Sequence, residues 1–198
     1  RMSTTTLRRV LLFIASSCVA GIAIAEPVTY PIDPSHTFPA FEADHWAGLS
    51  IWRGKINQTS GTVVLDKEAQ SGSMEVIMDM ASIDFGHDGM NERTVNDILH
   101  VSEFPTATYT GTLADFVDGS PTAVEGTLTM HGVTNPLNLT IERFRCQPHF
   151  RHGREVCGAD VSGTLNRADY NVTYDLENGF FPEVKLLITV EAGIPPAE

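Results

Sequence analysis

The sequence feature that most constrains the fold is a strict alternation of apolar and polar residues within residues 126–141, which read GTLTMHGVTNPLNLTI. The apolar positions are Leu128 and Met130 before a break rich in Gly, Asn and Pro at residues 132–136, and Leu137, Leu139 and Ile141 after it. A period of two on both sides of a turn predicts a β-hairpin with one apolar face. A hairpin alone is at best marginally stable in water, so further strands must cover that face. The face then packs against either side chains or a ligand.

Three further segments show the same period of two, and we expect them to be strands of the same sheet. They are residues 41–45, residues 74–80 with Met74, Val76, Met78 and Met80 on one face, and residues 184–190 with Val184, Leu186, Ile188 and Val190 on one face. One short helix is predicted over residues 89–100, with Asp88 as its N-cap, where it would cover an end of the sheet. Together with weaker strand signals, eight or more short strands and scarcely any helix predict an antiparallel sandwich or barrel.

The first 25 residues have the pattern of a secretory signal peptide. Arg8 and Arg9 precede an apolar run over residues 10–25, which ends in Ala-Ile-Ala, the small-x-small sequence of a signal-peptidase site. We therefore expect cleavage after Ala25 and a single exported domain over residues 26–198. The apolar run is short for a membrane span, and no later stretch approaches the length that a span needs.

The charge of the chain argues against two classes of partner. The full chain has 13 Lys plus Arg and 25 Asp plus Glu, and its net charge is −12. Removal of residues 1–25 removes three arginines and no acidic residue, which leaves a net charge of −15. Nucleic-acid phosphates and anionic lipid headgroups both attract a basic surface, so neither is an expected partner.

One of the three cysteines lies in the predicted signal peptide, and the other two lie in the predicted exported domain. Cys18 lies in the leader after Ala15, where the cleavage site of a bacterial lipoprotein usually has Leu, so lipid anchoring at Cys18 is not expected. Cys146 and Cys157 have ten residues between them, and in an oxidising compartment such an even pair predicts a disulfide. A redox-active or metal-binding pair is the less favoured alternative, since no CxxC motif or second pair is present.

Four motifs follow one another through the exported part of the chain. They are Asp33-Pro34-Ser35-His36 with Phe41, His45, Ser50 and Arg53-Gly54; Leu99 with residues 103–109 (EFPTATY); residues 126–134 (GTLTMHGVT); and residues 166–170 (NRADY). In this order they resemble the YceI-like family of exported polyisoprenoid-binding proteins. The resemblance implies an elongated lipocalin-like barrel that holds the isoprenoid tail of a lipid or quinone in its interior.

Two local expectations concern these motifs. Phe38 and Pro39 stand where the family usually has an alternating β residue, so we expect the first strand to start late or to contain a bulge. Arg167 and Asp169 lie two residues apart on a predicted late strand, and we expect them to form an ion pair rather than to act as acid and base.

Neither metal binding nor catalysis is expected from the remaining polar residues. His149 and His152 lie three residues apart, but this spacing does not fix the three or four converging ligands that zinc needs. His45 and His131 are predicted to form hydrogen bonds within strands or turns. No Gly-x-Ser-x-Gly nucleophile motif is present, so we do not predict an enzyme.

The sequence and the resemblance together predict an all-β fold, an eight-stranded antiparallel lipocalin-like barrel with one short helix. We expect a periplasmic binding or carrier protein that sequesters an isoprenoid-tailed lipid or quinone, with no other cofactor. The ligand is predicted to contact alternating apolar residues: Phe41, Ala43, Met74, Val76, Met78, Leu128, Met130, Leu137 and Leu139. Two alternatives stay open, an interaction module with a filled core and a lipid-modifying enzyme. The oligomeric state is open between a monomer and a homodimer.

Overall fold

The computed structural model describes residues 26–195, so the predicted signal peptide lies outside the described residues. Most of this part of the chain forms one antiparallel sheet of twelve strands. The strands are β1 (Val28–Pro31), β2 (Phe38–His45), β3 (Ser50–Ile56), β4 (Thr59–Asp66), β5 (Ser71–Asp79), β6 (Ile83–Asp84), β7 (Thr106–Ala114), β8 (Ala123–Met130), β9 (Val133–Pro136), β10 (Leu139–Pro148), β11 (Glu155–Asn166) and β12 (Glu183–Gly193). Within residues 26–195, no helix is long and apolar enough to cross a membrane.

The sheet curls so that β1, the first strand in the chain, comes close to β12, the last strand in the chain. Its strand order is β1-β4-β5-β7-β8-β10-β11-β12-β2-β3-β6, and β9 pairs with β8 outside this path. Ile32, directly after β1, forms an isolated antiparallel bridge with Ala192 of β12. The backbone N–H of Asp33 donates to the carbonyl oxygen of Glu191 at 2.9 Å beside this bridge. The first eight strands of the order therefore form a ring, and β2, β3 and β6 continue beyond β12.

The predicted antiparallel all-β class is confirmed, although the described chain contains twelve strands rather than eight. The eight-stranded ring accounts for the predicted number. The four additional strands are β2, β3 and β6, which continue the sheet beyond β12, and β9, which pairs with β8 outside the main path.

The helical segment lies where the sequence predicts it, but it begins differently. α1 (Asp88–Arg93) continues directly into a π-helical turn (Thr94–Ile98). The N-cap is His87 rather than Asp88, because His87 has an extended backbone and its Nδ1 accepts a hydrogen bond from the N–H of Met90 at 3.1 Å. Asp88 is already helical and places its carboxylate in the first turn, where it suits the helix dipole. Short 3₁₀ turns occur at Met80–Ser82, Arg167–Tyr170 and Leu176–Asn178.

The hairpin between β8 and β9 has a tighter turn than the sequence predicts. His131 and Gly132 alone form the turn, with φ angles of 51° and 75°. Two consecutive positive φ angles are typical of the type I′ turn that joins closely paired strands. The predicted break over residues 132–136 is therefore too long, since β9 begins at Val133 and pairs with β8 up to Pro136.

β2 begins at Phe38, so the expected late start or bulge is wrong. Phe38 pairs with Thr189 of β12 and Pro39 with Ile188, without a shift in register. On the other side of β2, pairing with β3 starts only at Ala40. Pro39 is tolerated because this side has no partner strand at its position.

The predicted disulfide is confirmed. Cys146 of β10 and Cys157 of β11 lie directly opposite each other in the register of the two strands, with their Cα atoms 4.0 Å apart. The bridge closes the hairpin loop at the end of the sheet where β10 ends and β11 begins.

Candidate functional site

The curled sheet surrounds a cavity of about 540 Å³. Its wall consists mainly of apolar side chains that point inward from alternate positions of the strands. All nine residues that the sequence analysis predicts as lining lie at this wall: Phe41, Ala43, Met74, Val76, Met78, Leu128, Met130, Leu137 and Leu139. Their contact with a ligand stays a prediction.

The period of two explains why the predicted faces point inward. On β5, Val76 is buried and Met78 is partly buried at the cavity, whereas Glu75 and Ile77 between them are exposed on the outer face. On β8, Leu128 is buried and lines the cavity, while Thr129 is exposed. A strand that buries one face places successive side chains on opposite sides of the sheet.

Several lining residues were not among the predicted set. The apolar positions of β12 line the cavity, and so do residues of β11 and of the helical segment; they include Val184, Leu186, Ile188, Val190, Val161, Leu165, Met90, Ile98 and Leu99. The alternation in β12 and the apolar residues of the helix were visible in the sequence. No sequence pattern indicated that these residues line the same cavity as the predicted ones, because their meeting there depends on how the sheet curls.

One end of the cavity carries a group of rings that we call the aromatic collar: Phe41, His45, Trp52, Phe85, His87 and Phe180. The ring centroids of Phe41 and Phe85 are 5.4 Å apart, those of His45 and Trp52 are 5.1 Å apart, and those of His45 and Phe180 are 5.9 Å apart. All six residues lie at the cavity wall. The Phe41–Phe85 and His45–Phe180 pairs are edge-to-face, and such contacts stabilise aromatic pairs beyond the area they bury. The sequence analysis missed most of this collar, since Phe85, His87 and Phe180 lie outside the alternating segments.

Charged and polar groups lie beside the collar, and we call this end of the cavity the mouth. Arg93 of α1 donates from Nη1 to the hydroxyl oxygen of Tyr174 at 3.3 Å. Arg167 donates from Nη1 to the carbonyl oxygen of Val172 at 3.0 Å. Burial lowers the pKa of Arg167, while the carboxylate of Asp175 acts in the opposite direction. The charged part of the wall is therefore at the mouth, whereas the polar atoms of Thr37 and Tyr109 elsewhere in the wall are bonded to backbone carbonyl oxygens.

The expected ion pair between Arg167 and Asp169 is wrong. The ion pairs of residues 26–195 do not include this pair, and Asp169 is exposed. Arg167 begins a 3₁₀ turn rather than continuing a strand. The turn orients the two side chains differently, so Arg167 bonds to the backbone of Val172 instead.

Thr94 places a polar atom without a partner in the cavity wall. Its side chain is 4% exposed and lines the cavity, and its Oγ1 has no hydrogen-bond partner among the described residues. A buried hydroxyl normally forms at least one hydrogen bond, because leaving it unpaired is unfavourable. Thr94 therefore offers an unpaired hydroxyl group at the cavity wall.

His45 and His131, two of the histidines in the family motifs, form hydrogen bonds. His131 Nδ1 lies 3.1 Å from the carbonyl oxygen of Tyr170, and its ring packs against Phe104 with centroids 4.3 Å apart. His131 therefore bonds to another segment rather than within its own turn. His45 Nδ1 lies 3.4 Å from Ser50 Oγ across the β2–β3 hairpin.

A cluster outside the cavity brings together groups that could share a cation: Asp33, His36 and Glu191. His36 Nδ1 lies 2.7 Å from Asp33 Oδ2, and this hydrogen bond raises the pKa of His36. None of the three residues lies at the cavity wall. Their closeness is explained by the hydrogen bonds that join residues 33–37 to β12.

A curled antiparallel sheet around an apolar cavity, with a helical segment over one end, defines a lipocalin-like barrel with an internal pocket. The particular family follows from comparison of the sequence. The chain belongs to the YceI-like family, since the YceI-like domain model matches residues 30–192.

Relatives and solved structures agree with this assignment. A UPF0312 protein of Pectobacterium atrosepticum is 30% identical over 174 residues, covering 87% of this chain and 88% of that protein. Protein YceI of Salmonella arizonae is 30% identical over 185 residues, covering 91% of each.

Two solved structures share the fold. A polyisoprenoid binding domain from Saccharophagus degradans superposes with a TM-score of 0.62 at 18% identity, covering 84% of this chain and 98% of that one. The Campylobacter jejuni YCEI protein superposes with a TM-score of 0.63 at 18% identity, covering 93% and 99%. At this level of identity, the likeness concerns the fold alone.

Proposed function

We propose that this protein is a binding or carrier protein that sequesters a lipid or quinone with an isoprenoid-type tail inside the cavity. The observation that supports this proposal is the cavity itself, about 540 Å³ with an almost wholly apolar wall. Ligand pockets of this size and character are typical of small-molecule sites. The shared fold with a solved polyisoprenoid binding domain supports the same ligand class.

The cavity volume limits the size of the enclosed tail. An apolar cavity of about 150 Å³ can hold one benzene ring with six carbon atoms, so the same density gives room for roughly twenty carbon atoms here. Roughly twenty carbons correspond to about four isoprene units. A longer tail would extend through the mouth.

Burial of the tail is sufficient to drive binding. Each buried CH₂ group contributes about 0.8 kcal/mol, so ten such groups contribute roughly 8 kcal/mol before the costs of association. Before those costs, this free energy would correspond to a dissociation constant of about a micromolar. The methionines of β5 suit an irregular branched chain, because the thioether side chain is flexible and polarisable.

The polar end of the ligand would lie toward the mouth. Thr94 offers its unpaired hydroxyl there, and Arg93, Arg167 and Tyr174 offer further polar atoms. Arg93 and Arg167 each donate one hydrogen bond to a neighbouring oxygen and keep further N–H donors, so a head group with acceptor oxygens suits this end.

We place the protein in the periplasm. The Cys146–Cys157 disulfide favours an oxidising compartment, and the pattern of residues 1–25 is that of an export signal. Cavity binding requires no catalytic group, so the proposal is a binding role rather than an enzyme.

The experiment is native mass spectrometry of protein purified from its own compartment, with extraction of the sample into organic solvent. Wild-type protein is expected to carry an extractable mass of several hundred daltons. Ala43→Trp fills the cavity from β2 and should lose this mass. Lys185→Trp adds the same side chain on the exposed outer face of neighbouring β12 and should retain it.

A bare wild-type polypeptide that also fails to take up a fluorescent isoprenoid would contradict the carrier role and favour the interaction module. Turnover of the extracted lipid by the purified protein would instead favour the enzyme.

A further inference from the structure

Large apolar side chains are exposed beside the mouth, outside the cavity wall. Trp46 is 60% exposed, Leu49 is 68% exposed, Ile51 is 55% exposed and Phe181 is 52% exposed. We call these four residues the rim patch. Single exposed apolar residues are ordinary on protein surfaces, but a contiguous group beside a cavity indicates an interaction site.

The segments that carry the rim patch have a defined backbone conformation that is held by hydrogen bonds. The turn between β2 and β3 holds three consecutive positive φ angles, 57° at Trp46, 53° at Ala47 and 82° at Gly48. The carboxylate of Asp44 stabilises it by accepting hydrogen bonds from the N–H of Gly48 at 2.6 Å and from the N–H of Phe181 at 3.0 Å. One carboxylate therefore joins the two segments that carry the patch.

The rim patch is continuous with the cavity wall. Asp44, His45 and Phe180 lie at the wall, and each is close in sequence to a patch residue. The rings of His45 and Phe180 contact each other with centroids 5.9 Å apart. An apolar path therefore leads from the outer surface, past the aromatic collar, into the cavity.

The distribution of charge near the rim patch indicates which kind of partner it can bind. Residues 46–52 contain no charged side chain, and Asp44 is occupied by its two backbone donors. Without residues 1–25 the chain carries a net charge of −15, which disfavours approach to an anionic surface. The rim patch therefore suits an apolar partner with an uncharged surface.

A further exposed aromatic residue, Phe150, lies at the opposite end of the sheet. Phe150 is 85% exposed in the loop of the β10–β11 hairpin, which also contains Arg151 and Arg154. β11 starts at Glu155 beside this loop and ends at Asn166 beside the mouth, a span of roughly 35 Å at the usual rise of a strand. This basic loop is therefore too far from the mouth to serve the cavity.

We infer that the rim patch docks the mouth onto the surface of a lipid bilayer with uncharged or zwitterionic headgroups. This inference rests on the proposed function, since a tail that enters directly from a bilayer avoids unfavourable exposure to water. Trp46 suits the interface because its ring is apolar and its N–H can bond to headgroups. The protruding hairpin inserts its apolar tip among the headgroups, and the mouth beside it opens toward the acyl chains.

The test is flotation of the full chain with phosphatidylcholine vesicles, with and without added phosphatidylglycerol. Wild-type protein is expected to float with phosphatidylcholine vesicles, independently of salt. The double variant Trp46→Ser with Leu49→Ser should bind at least about tenfold more weakly, since two apolar side chains no longer insert. Phe150→Ser is the matched control and should bind as wild type does.

Any of three results would overturn the inference. One is equal flotation of the wild type and the Trp46/Leu49 double variant, when circular dichroism shows that both are folded. Another is binding that requires phosphatidylglycerol and is lost in Phe150→Ser, which would assign docking to the basic loop. A soluble protein that competes with vesicles for the rim patch would also contradict a bilayer as its partner.

Failure of the docking and failure of the carrier role are distinguishable. Ala43→Trp should lose its cargo and still float with vesicles. The Trp46/Leu49 double variant should take up a fluorescent isoprenoid from detergent solution as wild type does, but extract it from vesicles more slowly.

Discussion

At the residue scale, Gly126 and Tyr109 show why two separate sequence motifs occur together. The Tyr109 side chain lies across the neighbouring strand at Gly126, and its hydroxyl donates to the carbonyl oxygen of Leu137 at 2.9 Å. A Cβ atom on Gly126 would clash with the Tyr109 hydroxyl and would lie 2.6 Å from the carbonyl oxygen of Thr110. Gly126 is therefore needed for the close approach of Tyr109. The hydrogen bond to Leu137 stabilises the segment between β9 and β10.

Gly126→Ala should destabilise the folded protein by roughly 1–3 kcal/mol, because the backbone oxygen of Thr110 cannot move away as a flexible side chain could. The free energy of unfolding in urea measures this effect. Gly158→Ala is the control, since its added Cβ would lie 3.6 Å from Glu191 Cγ, an ordinary contact. Equal destabilisation by the two substitutions would contradict the steric role of Gly126.

At the element scale, Glu155 joins three parts of the sheet at the end remote from the mouth. It begins β11 and accepts a hydrogen bond from the Tyr30 hydroxyl of β1 at 2.6 Å and another from Lys67 Nζ at 2.6 Å. Lys67 follows β4 directly. The hydrogen bonds from Lys67 and Tyr30 hold the pKa of Glu155 below its ordinary value of 4.5.

This shift predicts how stability depends on pH. A carboxylate with a lowered folded pKa stabilises the folded state above its unfolded pKa, and this contribution is lost as pH falls through the folded pKa. Wild type should therefore be more stable than Glu155→Gln above pH 4.5, and the difference should shrink as the pH falls below that value. Urea unfolding at a series of pH values measures this difference in the free energy of unfolding. Glu183→Gln is the control for the loss of one exposed carboxylate. A difference that stays constant down to the acid transition would contradict the role of Glu155.

The elements also show what could be predicted from sequence. The period of two placed the correct faces of β2, β5 and β8 at the cavity, because burial on one side of a strand is a local property. The aromatic collar and the rim patch could not be predicted, since they depend on contacts between distant segments. Asp44 is an example: it bonds to Gly48 nearby and to Phe181 far along the chain. The cap at His87 was missed because Asp is the more usual N-cap residue.

At the scale of the whole molecule, the cavity volume should set a preferred tail length. Binding free energy is expected to rise with each isoprene unit up to about four units and then level off, because further units lie outside the apolar wall. Competition of prenols of about two to about eight units against a fluorescent isoprenoid measures this dependence. An affinity that continues to rise at the longest tails would show that the cavity expands beyond the 540 Å³ described here.

The isolated bridge between Ile32 and Ala192 joins residues 160 positions apart. Contacts of such long sequence separation form slowly, because a large loop must close before they stabilise the chain. The ring therefore closes at a late stage of folding, when β12 docks against the strands that precede it. Until then the apolar walls face solvent, and exposed apolar surface of this kind makes partly folded chains prone to aggregation. A shortened chain without β12 would lack one wall of the cavity and the contact that closes the ring together.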